Sequence, residues 1–229
     1  QGSRILYNIL NGLDEVYCER CYCPWTDMER ALREDNLPLF TLETKSPLAA
    51  FDVVGFSMLY EMCYTNVLTM LELSHIPFYA DERDDTFPLL VAGGPCMCNP
   101  EPIAPFFDAI MVGDGEESIV ELVRAVERAK AEGKSKQALL HDLAAIEGVY
   151  VPSFYAPKMA DGRFVSMERL QDDAPQRVKR RIVKDLEHTP YVGKQLVPNM
   201  QIVHDRVAVE VMRGCTRGCR FCQAGYIYR

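Results

Sequence analysis

The feature that most constrains the fold is a recurring unit in which a short apolar run ends in small residues and gives way to a helix-patterned stretch. Asp52-Val-Val-Gly-Phe-Ser57 precedes Tyr64, Val67, Leu68 and Leu71 at helical spacing, and Leu89-Leu-Val-Ala92 ends in Gly93-Gly94. Ala109-Ile-Met-Val112 ends in Gly113-Asp-Gly115 before Ile119, Leu122, Val123 and Val126. Val16 to Tyr22 reads as a further strand, and Thr26 with Glu29 has the spacing of a capping box opening a helix with Met28, Ala31 and Leu32 on one face. Continuous apolar strands are those covered on both sides, and strands separated by helices pair in parallel through crossovers. The pattern predicts an α/β fold over residues 1–147, a doubly wound parallel sheet with helices on both faces.

Ile5, Leu6, Ile9 and Leu10 place a helix at the very start, closed by a left-handed Gly12. By the same alternation a strand belongs before that helix. The chain opens at Gln1 without it and ends at Arg229 soon after a cysteine loop, so the sequence reads as a piece of a longer protein.

Ser135 to Ile146 predicts one more helix, stopped at Gly148. Val149 to Phe154 and Arg163 to Met167 then flank Asp161-Gly162, a short-range hairpin signal, within a connecting segment over 148–205. The basic run from Arg177 to Lys184 alternates Val178, Ile182 and Val183 with Lys and Arg, and reads as a solvated extended face rather than an RNA-binding stripe. Val207 to Val211 resumes a buried strand and begins a further unit over 206–229.

With 48% hydrophobic and 25% charged residues the chain is built to fold, and a net charge of -8 argues against a broad nucleic-acid face, though it leaves a local one open. No stretch approaches the roughly 20 apolar residues that span a bilayer, and no secretory leader pattern opens the chain. The nine cysteines are odd in number, which fits metal-binding thiolates in the reducing cytoplasm better than a disulfide scaffold.

Cys215, Cys219 and Cys222 lie in Arg213-Gly-Cys-Thr-Arg-Gly-Cys-Arg-Phe-Cys222. Such spacing can turn three thiolates toward one iron–sulfur cluster, with Gly214 and Gly218 giving the backbone freedom for a tight wrap. Zinc would want a fourth ligand, and His204 is too far back to supply it. The C-x3-C-x2-C spacing, with Phe221 before the last cysteine and an apolar strand before the first, resembles the radical S-adenosylmethionine (SAM) superfamily. The resemblance implies a [4Fe–4S] cluster on Cys215, Cys219 and Cys222, SAM on the iron left open, and Phe221 beside its adenine. It further implies a 5′-deoxyadenosyl radical acting on an unknown substrate, an electron donor such as flavodoxin or ferredoxin, and a partial β/α barrel of which Val207 to Val211 is the first strand.

Ser57-Met-Leu59 and Gly93-Gly94 resemble the S-x-L and G-G elements of cobalamin-binding domains, which are flavodoxin-type sheets preceding the barrel in many radical SAM proteins. That resemblance makes Ser57, Leu59, Gly93 and Gly94 candidate cobalamin contacts; a Rossmann-like domain kept for packing or substrate access stands open beside it. Two further readings are a non-catalytic cobalamin- or nucleotide-binding module and a methylthiotransferase-like tRNA modification enzyme, for which Cys18, Cys63 and Cys96 fall only loosely in place. Cys18, Cys21 and Cys23 read as buried strand thiols, and Cys96 and Cys98 as loop thiols without a partner. Asp114, Glu116 and Glu117 read as charges favoured at a helix start, and Trp25 and Tyr60 as packing at helix starts.

Overall fold

The computed structural model describes residues 2–187, 189, 199–200 and 209–227. Three apolar runs form parallel strands: β1 (Val53–Ser57), β2 (Leu89–Gly93) and β3 (Ala109–Met111). A short β4 (Val149–Tyr150) adds antiparallel to β3, giving the order β1-β2-β3-β4. The chain opens with helix α1 (Gly2–Leu10), followed by α2 (Thr26–Glu34), α3 (Tyr64–Leu73), α4 (Ser118–Glu132) and α5 (Lys136–Ala144).

The sheet is covered on both faces because successive side chains of a strand point opposite ways. Leu90 and Ala92 of β2 join Ile110, Phe56, Val67 and Leu71 of α3, and Leu32 of α2 in one core cluster. Leu89 and Val91 turn to the other face, meeting Ala109, Met111, Leu122 and Ala125 of α4, and Leu139, Leu140 and Leu143 of α5. At the amino ends of the strands Asp108 is buried with Arg83 (3.3 Å) and Lys136 (2.9 Å), and its carboxylate also accepts the Leu90 N–H at 2.7 Å.

Several expectations are corrected. Val16 to Tyr22 is not a strand. Its polar groups go elsewhere: Cys18 N–H to the Asn11 side chain (3.0 Å), Arg20 N–H to Glu43 (2.8 Å), and the Arg20 carbonyl to Leu42 N–H (2.8 Å). The fourth strand is therefore β4, and the sheet is mixed rather than wholly parallel. Gly12 is not left-handed; its N–H bonds to the Ile9 carbonyl (3.1 Å) as the helix tightens and ends. Helix α2 starts after Trp25 with no side-chain cap, so Thr26 and Glu29 form no capping box, and only Leu32 of its expected face is buried. Trp25 and Tyr60 do sit at helix starts, but they are 80% and 55% exposed.

The hairpin closes where Asp161-Gly162 indicates, with φ of 51° and 72°, the pair of positive values a two-residue hairpin turn needs. Its first strand is β5 (Tyr155–Ala160), not Val149 to Phe154, and it pairs with β6 (Arg163–Arg169). Of the expected strand Val207 to Val211, Val207 and Ala208 lie outside the described residues, as does His204. Val209 and Val211 are 63% and 84% exposed and belong to no strand, so the described part is not a buried one. No helix among the described residues is long and apolar enough to cross a membrane.

Candidate metal centre

Gly214 takes φ 78°, a value side chains rarely adopt, and turns the chain into the cysteine loop. The Arg217 N–H points at Cys215 Sγ (3.4 Å), and the Cys222 N–H bonds to the Cys219 carbonyl (3.1 Å). A single 3-10 turn, Gln223–Gly225, comes next, and Gly225 is buried where a Cβ would stand 2.8 Å from the Arg217 carbonyl oxygen. Gly218 has open space around it and no positive φ, so its expected role in the wrap is not needed in this conformation.

Cys215 and Cys222 are half-buried, Cys219 is exposed, and none forms a disulfide. Phe221 is 92% exposed and presents a bare aromatic face. Among the described residues no three His, Cys, Asp or Glu side chains converge as metal ligands do. The donor set nonetheless suits an iron–sulfur cluster: three free thiols on one short, accessible loop.

The loop is seated on the front sheet by groups to which the sequence pattern assigns other roles. Arg213, two residues before Cys215, pairs with Asp114 (3.3 Å), Glu116 and Glu210 (2.9 Å). Its hydrogen bonds with Glu210 raise the guanidinium above its ordinary value and lower that carboxyl below its own. Asp114 and Glu116 are thus ion-pair partners, and Glu117, which does stand at the start of α4 without a side-chain cap, pairs with Arg181 at 2.7 Å. Arg181, expected on a solvated face, is only 17% exposed in its side chain and also reaches Glu121 (2.7 Å). Its backbone bridges Gly113 in parallel, donating to the Val112 carbonyl at 2.9 Å. The arginines themselves were the available signal in the sequence; nothing in their spacing says which carboxylates they meet.

On the same edge lie the strand-end residues. Ser57 and Gly93 are register partners, Ser57 Oγ lies 3.2 Å from Ser3 Oγ, and Leu59 is 64% exposed. Gly94 has φ 111°, and a Cβ there would stand 2.8 Å from the Met58 carbonyl oxygen, so packing of the two strand ends by itself demands a glycine. Cys98, exposed at the end of the turn that Gly94 opens, receives the Gln223 side-chain amide at 3.7 Å. The cysteine loop and the strand ends are therefore neighbours.

The remaining thiols separate into two groups. Cys18, Cys21 and Cys23 are half-buried in a segment that is not a strand; burial pushes all three up, Cys18 and Cys21 to about 11. Buried Cys96 is raised chiefly by desolvation, and Glu61, Cys63 and Cys98 lie close enough to add to that rise. Cys18 instead sits among Glu43, Glu19 and Arg20, so Cys18, Cys63 and Cys96 do not form one group.

A mixed α/β sheet carrying an accessible three-thiol loop on its edge is the class of protein that these elements define. Comparison with known proteins agrees: the family model described as radical SAM proteins, N-terminal, matches residues 2–152, more than half of the chain, and the chain belongs to that family. It is also similar to the uncharacterised protein MJ0966 of Methanocaldococcus jannaschii, 28% identical over 197 residues, covering 86% of this chain and 35% of that protein. The chain thus spans about a third of the length of that relative. No solved structure matches.

Proposed function

We propose that the chain is the front part of a radical SAM enzyme, with Cys215, Cys219 and Cys222 binding a [4Fe–4S] cluster as thiolates. The observation that carries this reading is the loop itself: three free thiols at C-x3-C-x2-C spacing, at least partly accessible, in a member of the radical SAM N-terminal family. Three protein ligands leave one iron for the amino and carboxylate groups of SAM, and the exposed face of Phe221 is available to stack on its adenine. The chemistry such a site supplies when loaded is one-electron cleavage of SAM into methionine and a 5′-deoxyadenosyl radical, which takes a hydrogen atom from the substrate. An electron donor of the flavodoxin or ferredoxin kind is required, and the substrate is not assigned.

In this reading the sheet and helices form a Rossmann-like front domain. The hairpin and basic run connect it to the cysteine loop, which opens the catalytic domain. The cluster of Ser57, Leu59, Gly93 and Gly94 at the strand ends favours a second, compatible reading, a cobalamin site facing the loop.

The cysteine assignment is tested by iron and sulfide analysis of the full-length protein after anaerobic reconstitution. Four irons and four sulfides per chain are expected beyond any bound by a triple variant with all three cysteines changed to Ala. Equal loading of the wild type and the triple variant rejects the assignment.

A further inference from the structure

Arg213, two residues before Cys215, is held by three carboxylates. Arg213 is 23% exposed in its side chain, and its guanidinium points into the turn between β3 and α4. There it meets Asp114 through Nη1 (3.3 Å) and Glu116 through Nη2, while Glu210 accepts from Nε (2.9 Å) and Nη2 (3.1 Å). Glu116 is 8% exposed. A carboxylate so buried is costly unless a cation meets it, and a planar five-donor fork can serve several carboxylates at once where an ammonium cannot.

The turn that receives Arg213 is fixed from its other side as well. Asp114 donates its N–H to the Arg181 carbonyl (3.0 Å) and accepts the Val183 N–H on its carboxylate (2.8 Å). Gly113 at φ 113° and Gly148 at φ 91° let Arg181 approach; a Cβ at Gly148 would stand 2.9 Å from that of Arg181. Asp114 is therefore shared between the basic run and the cysteine loop.

We propose that Arg213 is a positioning residue. Its ion pairs with Asp114 and Glu116 seat the cysteine loop on the carboxyl edge of the front sheet. They set the direction in which the three thiols face relative to Ser57, Leu59 and Gly93. The seating is a property of the apoprotein, and only its bearing on a cluster rests on the proposed function.

The test is amide hydrogen exchange of the full-length apoprotein, measured at the hydrogen-bonded amides of Asp114, Val183, Cys222, Gly225 and Tyr226. Arg213→Ala and Glu116→Gln are each expected to speed exchange at these amides about tenfold, as loss of an ion pair that favours the seated state by roughly 1.4 kcal/mol would do. Arg213→Lys should restore part of the protection, and Arg217→Ala, which changes an exposed arginine within the same loop, should leave it as in the wild type. Unchanged protection in both Arg213→Ala and Glu116→Gln, or an equal loss in Arg217→Ala, overturns the proposal. After anaerobic reconstitution, Arg213→Ala should keep the wild-type iron content yet show an altered paramagnetic response to SAM. If the wild type takes up no cluster while Arg213 still governs exchange, the cluster reading fails and the seating stands.

Discussion

Gly94 combines φ 111° with a Cβ position 2.8 Å from the Met58 carbonyl oxygen, so any side chain there meets both backbone strain and a collision. Gly94→Ala should cost about 1–3 kcal/mol in urea unfolding of the protein without ligand. Wild-type stability in that variant would show that the glycine serves a ligand alone. The thiols divide just as sharply. Cys18 and Cys21, raised to about 11 from 9.0 by burial, are favoured in the fold as neutral thiols. A folded value above the unfolded one stabilises fully below about pH 9, and that contribution is lost as pH climbs toward 11. Alkaline unfolding should therefore steepen across this window and become shallower in Cys18→Ala. At pH 8 brief alkylation should label exposed Cys98 and Cys219 well before Cys18, Cys21 and buried Cys96; equal labelling of all five would contradict the burial pattern.

At the scale of elements, the two core clusters define what each helix contributes. Leu71 on one face of the sheet and Leu122 on the other are both 0% exposed, and either change to Ala should cost about 2–5 kcal/mol in chemical denaturation. Asp108 anchors the opposite end of β2 and β3 through Arg83 and Lys136, and Asp108→Ala, which leaves two cations without their partner, should cost about 3–5 kcal/mol. Three of the four expected strands of the front sheet and all five helices are legible in the sequence from their apolar spacing, although α2 lacks the expected capping box. Val16 to Tyr22 misleads because the backbone N–H groups of Cys18 and Arg20 bond to the Asn11 and Glu43 side chains rather than to a neighbouring strand, which pattern alone does not reveal. Val149 to Phe154 reads as part of the hairpin, yet its first residues complete the sheet, a choice decided by the positive φ of Gly148 and its bond to Val112 (2.7 Å). The three cysteines stand out from spacing alone. The carboxylates that meet Arg213 read only as helix-start charges, because their partner lies far along the sequence.

At the scale of the whole molecule, two parts meet. One is a front sheet whose carboxyl edge carries small residues, Ser57 exposed and Gly93, Gly94 and Gly113 half-buried. The other is a cysteine loop brought to that edge by Arg213, Gln223 and the basic run around Arg181. The cluster assignment is tested most directly by electron paramagnetic resonance of the full-length protein, reconstituted anaerobically with iron and sulfide, reduced, and measured with and without SAM. A [4Fe–4S] signal is expected that shifts on adding SAM and is lost in Cys215→Ala, Cys219→Ala and Cys222→Ala. A wild-type protein that takes up only zinc, or holds a cluster whose signal is indifferent to SAM, would contradict the assignment.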